Sequence, residues 1–291
     1  MHYISLKGAF VKKYLSLIAF LIFPFTFLSS ESPRTIKLFV VLQNRLNPAI
    51  QLVRRAFDEG RFGKLYMITS NVFWTRPQEY YDLAPWRGTW ELDGGAFMNQ
   101  ASHYVDMVQW FGGPIEEVKS ITATLARKIE AEDTGAAIIR FTSGAIGSIN
   151  VTMLTYPQNL EGSITILGKK GTARVGGTSM NKIELWNFAD HKPYDEEIEK
   201  YNTNPTSVYG FGHSGYYRNV IDSLRNIADS NATMQNIIRP DTPSLLTLHS
   251  SLISDGYEGR KSLNLLENVY SSKKQRGCMA NNDIAVRNNN V

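Results

Sequence analysis

The sequence predicts an α+β fold: an open, mainly antiparallel β-sheet with helices packed on one face. Three observations carry this. Between residues 118 and 186 six short segments alternate or run apolar like half-buried strands, separated by tight glycine turns. Helical patterns with one apolar side stand before and after that block. The composition, 43% hydrophobic and 20% charged over 291 residues, is that of a globular chain with enough material for a sizeable core.

Taken in order, residues 36–42 (IKLFVVL) are rich in β-branched and aromatic residues and predict a short buried strand. Asn47-Pro48 then supplies an N-cap followed by proline at the first helical position. The helix over 49–59 carries Ile50, Val53, Ala56 and Phe57 on one side and stops at Gly60. Residues 65–73 form the next strand, and 74–95 a long loop of aromatic and charged residues. A helix follows over 96–111, ended by Gly112-Gly113-Pro114. The strand block comprises 118–126, 136–141, 145–154, 163–167, 172–175 and 182–186, with Thr142-Ser143-Gly144 as one turn. Two amphipathic helices, 216–227 and 262–270, complete the domain, which spans 36–229 plus 256–272. Residues 230–255 lose periodicity and read as an irregular insertion, and 273–291 as a disordered polar tail.

The first 35 residues stand apart. Lys12-Lys13, an apolar run over 14–28 and the small residues Ser29 and Ser30 make a signal-like outline, too short for a membrane span of about 20 residues. A core segment of a shortened domain or a non-native leader fits the same residues. The chain is therefore expected to be cytoplasmic, with export or tethering the alternative if 1–30 act as a signal. The net charge of +4 is scattered, which argues against a nucleic-acid partner. With Cys278 as the one cysteine there is no intrachain disulfide, and no spacing suits a metal.

Two glycine patterns do not read as phosphate loops. Gly210, Gly212 and Gly215 spell G-x-G-x-x-G before a helix, but a turn rather than a buried strand precedes them. Gly168-Lys169-Lys170-Gly171 lacks the P-loop spacing and predicts a hairpin turn. The stretch with chemistry is 74–106. Asn99, Ser102, His103 and Asp106 share one helical face, opposite Phe97, Ala101, Val105 and Val108. A histidine there, titrating near neutrality, suits proton transfer to or from a hydroxyl.

The segment 93–106 (DGGAFMNQASHYVD) resembles the glycine-rich turn and His-bearing helix of the Gfo/Idh/MocA oxidoreductases. Gln43-Asn44-Arg45, 73–78 (FWTRPQ) and 86–90 (WRGTW) resemble the branch that oxidises UDP-N-acetylglucosaminuronic acid at C3 with NAD. The likeness covers about 36–229 and resumes at 256–263 (GYEGRKSL). It implies a fold like the C-terminal domain of glyceraldehyde-3-phosphate dehydrogenase, with 36–42 as the remnant of a Rossmann domain's last strand. It implies NAD as cofactor, a UDP-linked amino sugar acid as substrate, and a homo-oligomer formed through the sheet face. His103 takes the place of the catalytic histidine, and Asn99 that of its frequent aspartate partner. Trp86, Arg87 and Gln43 fall on the cofactor side; Arg76, Tyr80 and Tyr81 are the candidates for the substrate's anionic groups. The family's glycine fingerprint and its Glu-Lys-Pro lysine have no counterpart in 1–35, so the chain is expected to be truncated and inactive alone.

Overall fold

The computed structural model describes residues 38–203, 210–232 and 253–274. Its seven-stranded sheet contains β1 (Leu65–Phe73), β2 (Ile115–Ala123), β3 (Thr134–Phe141), β4 (Ile146–Thr152), β5 (Glu161–Gly168), β6 (Gly171–Gly176) and β7 (Lys182–Phe188). Their order is β2-β3-β4-β1-β5-β6-β7. Only the β1–β4 pairing is parallel; the other five are antiparallel. The α+β expectation holds, and β1 occupies 65–73 as read from the sequence.

Alternation along β1 shows how the sheet divides inside from outside. Ile68, Ser70 and Val72 are buried, while Met67, Thr69, Asn71 and Phe73 point to the opposite, more open face. Against the buried face lie α3 (Ser102–Gly112) and α5 (Gly256–Lys274), with α1 (Pro48–Asp58) towards β6. Tyr104, Val105, Val108 and Phe111 from α3 interlock there with Ile68, Ile149, Ile164 and Ile166. Burying one such aliphatic side chain is worth about 1.5–3 kcal/mol.

Three expectations change. Residues 38–42 do not form a sheet strand; their pairing is a single bridge, Phe39 to Asp255, and a 3-10 turn (Gln43–Leu46) follows. A strand needs a neighbour for its N–H and C=O groups, and the described residues offer only 253–255, through Val40 N–H to the Ser254 carbonyl at 3.0 Å. The helix expected from 96 begins at Ser102, because Glu132 takes over the backbone donors ahead of it. Its carbonyl accepts from Ala96 N–H at 2.9 Å and its carboxylate from Phe97 N–H at 3.0 Å. The long loop also contains a short helix, α2 (Gln78–Asp82).

The last two helices are longer than their apolar patterns: α4 spans Gly212–Ala232 and α5 starts at Gly256. Asp255 supplies the start signal for α5, its carboxylate accepting from Tyr257 and Glu258 N–H at 2.9 Å each. The leader 1–35, most of the 230–255 insertion and all of the tail beyond 274 lie outside the described residues.

Candidate active site

The turn Gln43–Leu46 is the foundation of the site. Arg45 is fully buried and its guanidinium is completely used. It grips Asp106 of α3 in a two-pronged bond (2.9 and 2.8 Å), donates to Glu258 of α5 and the Ile253 carbonyl at 2.9 Å, and lies over Trp110. Ser262 also donates to Asp106. The stripe read on the helix is thereby corrected. Asp106 faces inward and is consumed by Arg45, so it is no acid–base group.

His103, one turn earlier on α3, meets Gln43. The Gln43 amide nitrogen lies 3.3 Å from His103 Nε2. With that amide as donor, Nε2 is the acceptor and the neutral ring carries its proton on Nδ1. That nitrogen is buried without a hydrogen-bond partner among the described residues. Burial lowers the His103 pKa below the usual imidazole value; Asp106 opposes this and His213 adds to it. The ring is therefore neutral at neutral pH, the state needed to accept a proton.

Asn99 does not bond to His103. Its amide donates to Asp93, whose other oxygen accepts from Gly88 N–H at 2.6 Å. Asp93 thus ties the Trp86–Trp90 segment to the turn that launches α3. Burial raises the Asp93 carboxyl above its ordinary range, against the opposing pull of Gly88, Asn99 and Arg87. Gly95 belongs to the same fastening, since a Cβ there would meet the Glu132 carboxylate at 1.9 Å.

Further out, the cations and rings form one cluster. Arg87 lies 4.1 Å above the Tyr80 ring and donates to the Tyr80 carbonyl at 2.7 Å; it also stacks on Trp86. Arg76 covers Tyr80 and Trp74 at 5.3 and 5.1 Å. Tyr81 is buried edge-on against Tyr80, which keeps partial exposure, and burial pushes its hydroxyl pKa up. Trp86 remains 39% exposed. A cleft of about 340 Å³ runs beside Arg87, between Tyr81, Thr89, Lys128 and Glu130.

Arg127 and His213 escaped the sequence reading. Arg127 donates from Nε to the Arg76 carbonyl at 2.7 Å, a contact 51 residues away in sequence. His213 sits inside the glycine run set aside as a non-nucleotide motif.

Residues 50–174 match the GFO/IDH/MocA C-terminal domain. Among solved structures, the WlbA dehydrogenase of Bordetella pertussis, in complex with NADH and UDP-GlcNAcA, is 58% identical with a TM-score of 0.70. That match covers 82% of this chain and 63% of the other. The WlbA dehydrogenase of Chromobacterium violaceum, with the same two ligands, is 52% identical, with a TM-score of 0.69 and coverage of 82% and 61%. An inositol 2-dehydrogenase of Rhizobium meliloti is 30% identical over 159 residues, 51% of this chain and 44% of that protein. The chain thus spans less than two thirds of the length of each of these relatives.

Both WlbA dehydrogenases were solved with NADH bound. The described residues do not form a whole dinucleotide site. Gly210, Gly212 and Gly215 pack on the 43–47 turn: a Cβ at Gly212 would fall 1.8 Å from the Gln43 carbonyl oxygen, leaving no room for a pyrophosphate. Among the described residues no cluster of three or more His, Cys, Asp or Glu suits a metal ion, and no helix is long and apolar enough to cross a membrane.

Proposed function

We propose that this chain binds a UDP-linked N-acetylamino sugar acid and provides the substrate side of its NAD-dependent oxidation at C3. The supporting observation is the arrangement itself. A neutral histidine stands next to Gln43, and on the turn ahead of its helix Asn99 and Asp93 fasten Gly88, in the loop bearing Arg76, Arg87 and Tyr80. In this reading the substrate hydroxyl replaces the Gln43 amide at His103 Nε2, which then accepts its proton as the carbon is oxidised; Gln43 holds the ring's orientation until then, and Asn99 positions the preceding turn through Asp93. Arg76 and Tyr80 hold the substrate's anionic groups with Tyr81 as backing, while Trp86 and Arg87 border the cofactor. The 52–58% identity to two dehydrogenases solved with UDP-GlcNAcA supports the substrate class.

One observation favours a second role, substrate binding and homo-oligomerisation without turnover by this chain alone. The glycine run 210–215, the stretch nearest in spelling to a dinucleotide loop, is packed against backbone, and cofactor positioning contributes about 7–11 kcal/mol to such a reaction. Saturation-transfer NMR tests the shared part of both readings. Transfer from protein to the sugar and uridine protons of UDP-N-acetylglucosaminuronate, with none to glucose, is expected; no transfer to the nucleotide sugar from folded protein contradicts both. NADH formation, followed by absorbance and abolished in His103→Ala, would separate catalysis by this chain from binding alone.

A further inference from the structure

Among the described residues, Arg45, Arg54, Arg55, Arg61, Arg140, Arg174 and Arg225 each face a carboxylate within ion-pair distance. Arg76, Arg87 and Arg127 do not, nor do Arg218 and Arg260, but these first three stand together. Arg76 and Arg87 share the Tyr80 ring, and Arg127 is bonded to the Arg76 backbone. Asp93 acts on Arg87, and the charges of Arg76 and Arg127 gathered beside it repel each other less once an anion joins them.

Arg127 is also held there by design of the loop between β2 and β3. Fully buried Asp133 accepts backbone N–H bonds from Leu125, Ala126 and Arg127 at 2.9 Å each, which occupies its carboxylate and fixes the loop's course. Next door, Lys128 N–H donates to the Gln78 side chain at 2.8 Å, docking the loop on α2. The Arg127 Nε bond to Arg76 then sets the angle of the guanidinium, whose two terminal nitrogens have no bond among the described residues. A half-exposed guanidinium on a loop fixed by these backbone bonds, and oriented by its Nε bond to the Arg76 carbonyl, suits the two-pronged recognition of phosphate oxygens.

We propose that Arg127, with Arg76, holds the diphosphate of the nucleotide-linked sugar; this assignment rests on the substrate reading above and adds a specificity residue to it. The reach of the pair distinguishes a nucleoside-diphosphate sugar from a free sugar acid, which lacks the diphosphate. Tyr80, stacked between Arg76 and Arg87, separates this subsite from the part of the cleft nearer Trp86.

The test is isothermal titration of the full chain with UDP-N-acetylglucosaminuronate and, separately, with inorganic pyrophosphate. Arg127→Gln, Arg127→Lys and the control Lys182→Gln, on the opposite sheet edge, are compared after circular dichroism confirms folding. The proposal expects wild type to bind both ligands and Arg127→Gln to weaken both at least about tenfold. Arg127→Lys should fall between, and Lys182→Gln should change neither. Unaltered binding of the nucleotide sugar by Arg127→Gln overturns the proposal while leaving the substrate reading intact. Wild type that ignores the nucleotide sugar overturns the substrate reading, whatever pyrophosphate does. Equal weakening by Lys182→Gln shows general charge attraction and overturns the subsite.

Discussion

At the scale of single residues, the molecule separates two histidine-helix neighbours that one helical face had grouped together. Asp106 is structural because Arg45, 61 residues away, reaches it through the interior. Replacing Asp106 by Ala leaves a fully buried guanidinium without its main partner, a change that typically costs about 3–5 kcal/mol. A urea midpoint shifted by that amount is expected; a shift under about 1 kcal/mol contradicts the assignment of Arg45 as the central fastening. His103 carries a pH signature. Its pKa is lowered in the folded protein, so between the ordinary imidazole value near 6.5 and the lower folded value the unfolded chain binds more protons. Stability from this group is complete above about 6.5 and is lost as pH falls through the folded pKa. His103→Gln should flatten that part of the stability profile, and an imidazole NMR titration at or above the ordinary value would refute the burial argument. The position of His103 was legible from sequence because helix periodicity is local. The fate of Asp106 was not, because its partners come from two other segments of the fold.

At the scale of elements, the strands of the sheet were read closely, while the strand expected at 36–42 and the helix ends were not, for a physical reason. Strand alternation is written in the side chains themselves, and β1 shows it from Leu65 to Phe73. Helix starts depend on which group takes the first N–H donors. Glu132, from a distant strand entry, takes those ahead of α3 and delays it to Ser102. Asp255 does the reverse for α5, starting it before its apolar pattern begins. The glycine run before α4 shows the same dependence on tertiary contact. Its sequence looks like a nucleotide loop, yet Gly212 serves the close approach of the helix to the Gln43 carbonyl. Gly212→Ala must push backbone against backbone, and overpacking of this kind typically costs about 1–3 kcal/mol. The variant should be destabilised by that much in urea and should shift the His103 ring resonances, since Gln43 moves with its carbonyl. Wild-type stability in Gly212→Ala would show that the two segments are not in contact in solution.

At the scale of the whole molecule, the sheet has one face covered by helices and one left open among the described residues. On the open side a polar ladder runs from Asn150 through Asn71 and Glu161 to Arg174 and Glu184, beside exposed Ile121 and Ile138. We propose that two copies of the chain meet there. Light scattering should give at least a dimer, and Ile138→Asp should shift it towards monomer with the fold kept; a wild-type monomer at working concentrations contradicts this interface. The central claim concerns the site, and ligand-linked thermal stability tests it most directly. A hundredfold excess of ligand over its dissociation constant adds about 2.7 kcal/mol to the folded state. The account predicts a clear rise in melting temperature with UDP-N-acetylglucosaminuronate and none with glucose. Equal, negligible shifts with both, in protein shown to be folded, would contradict it.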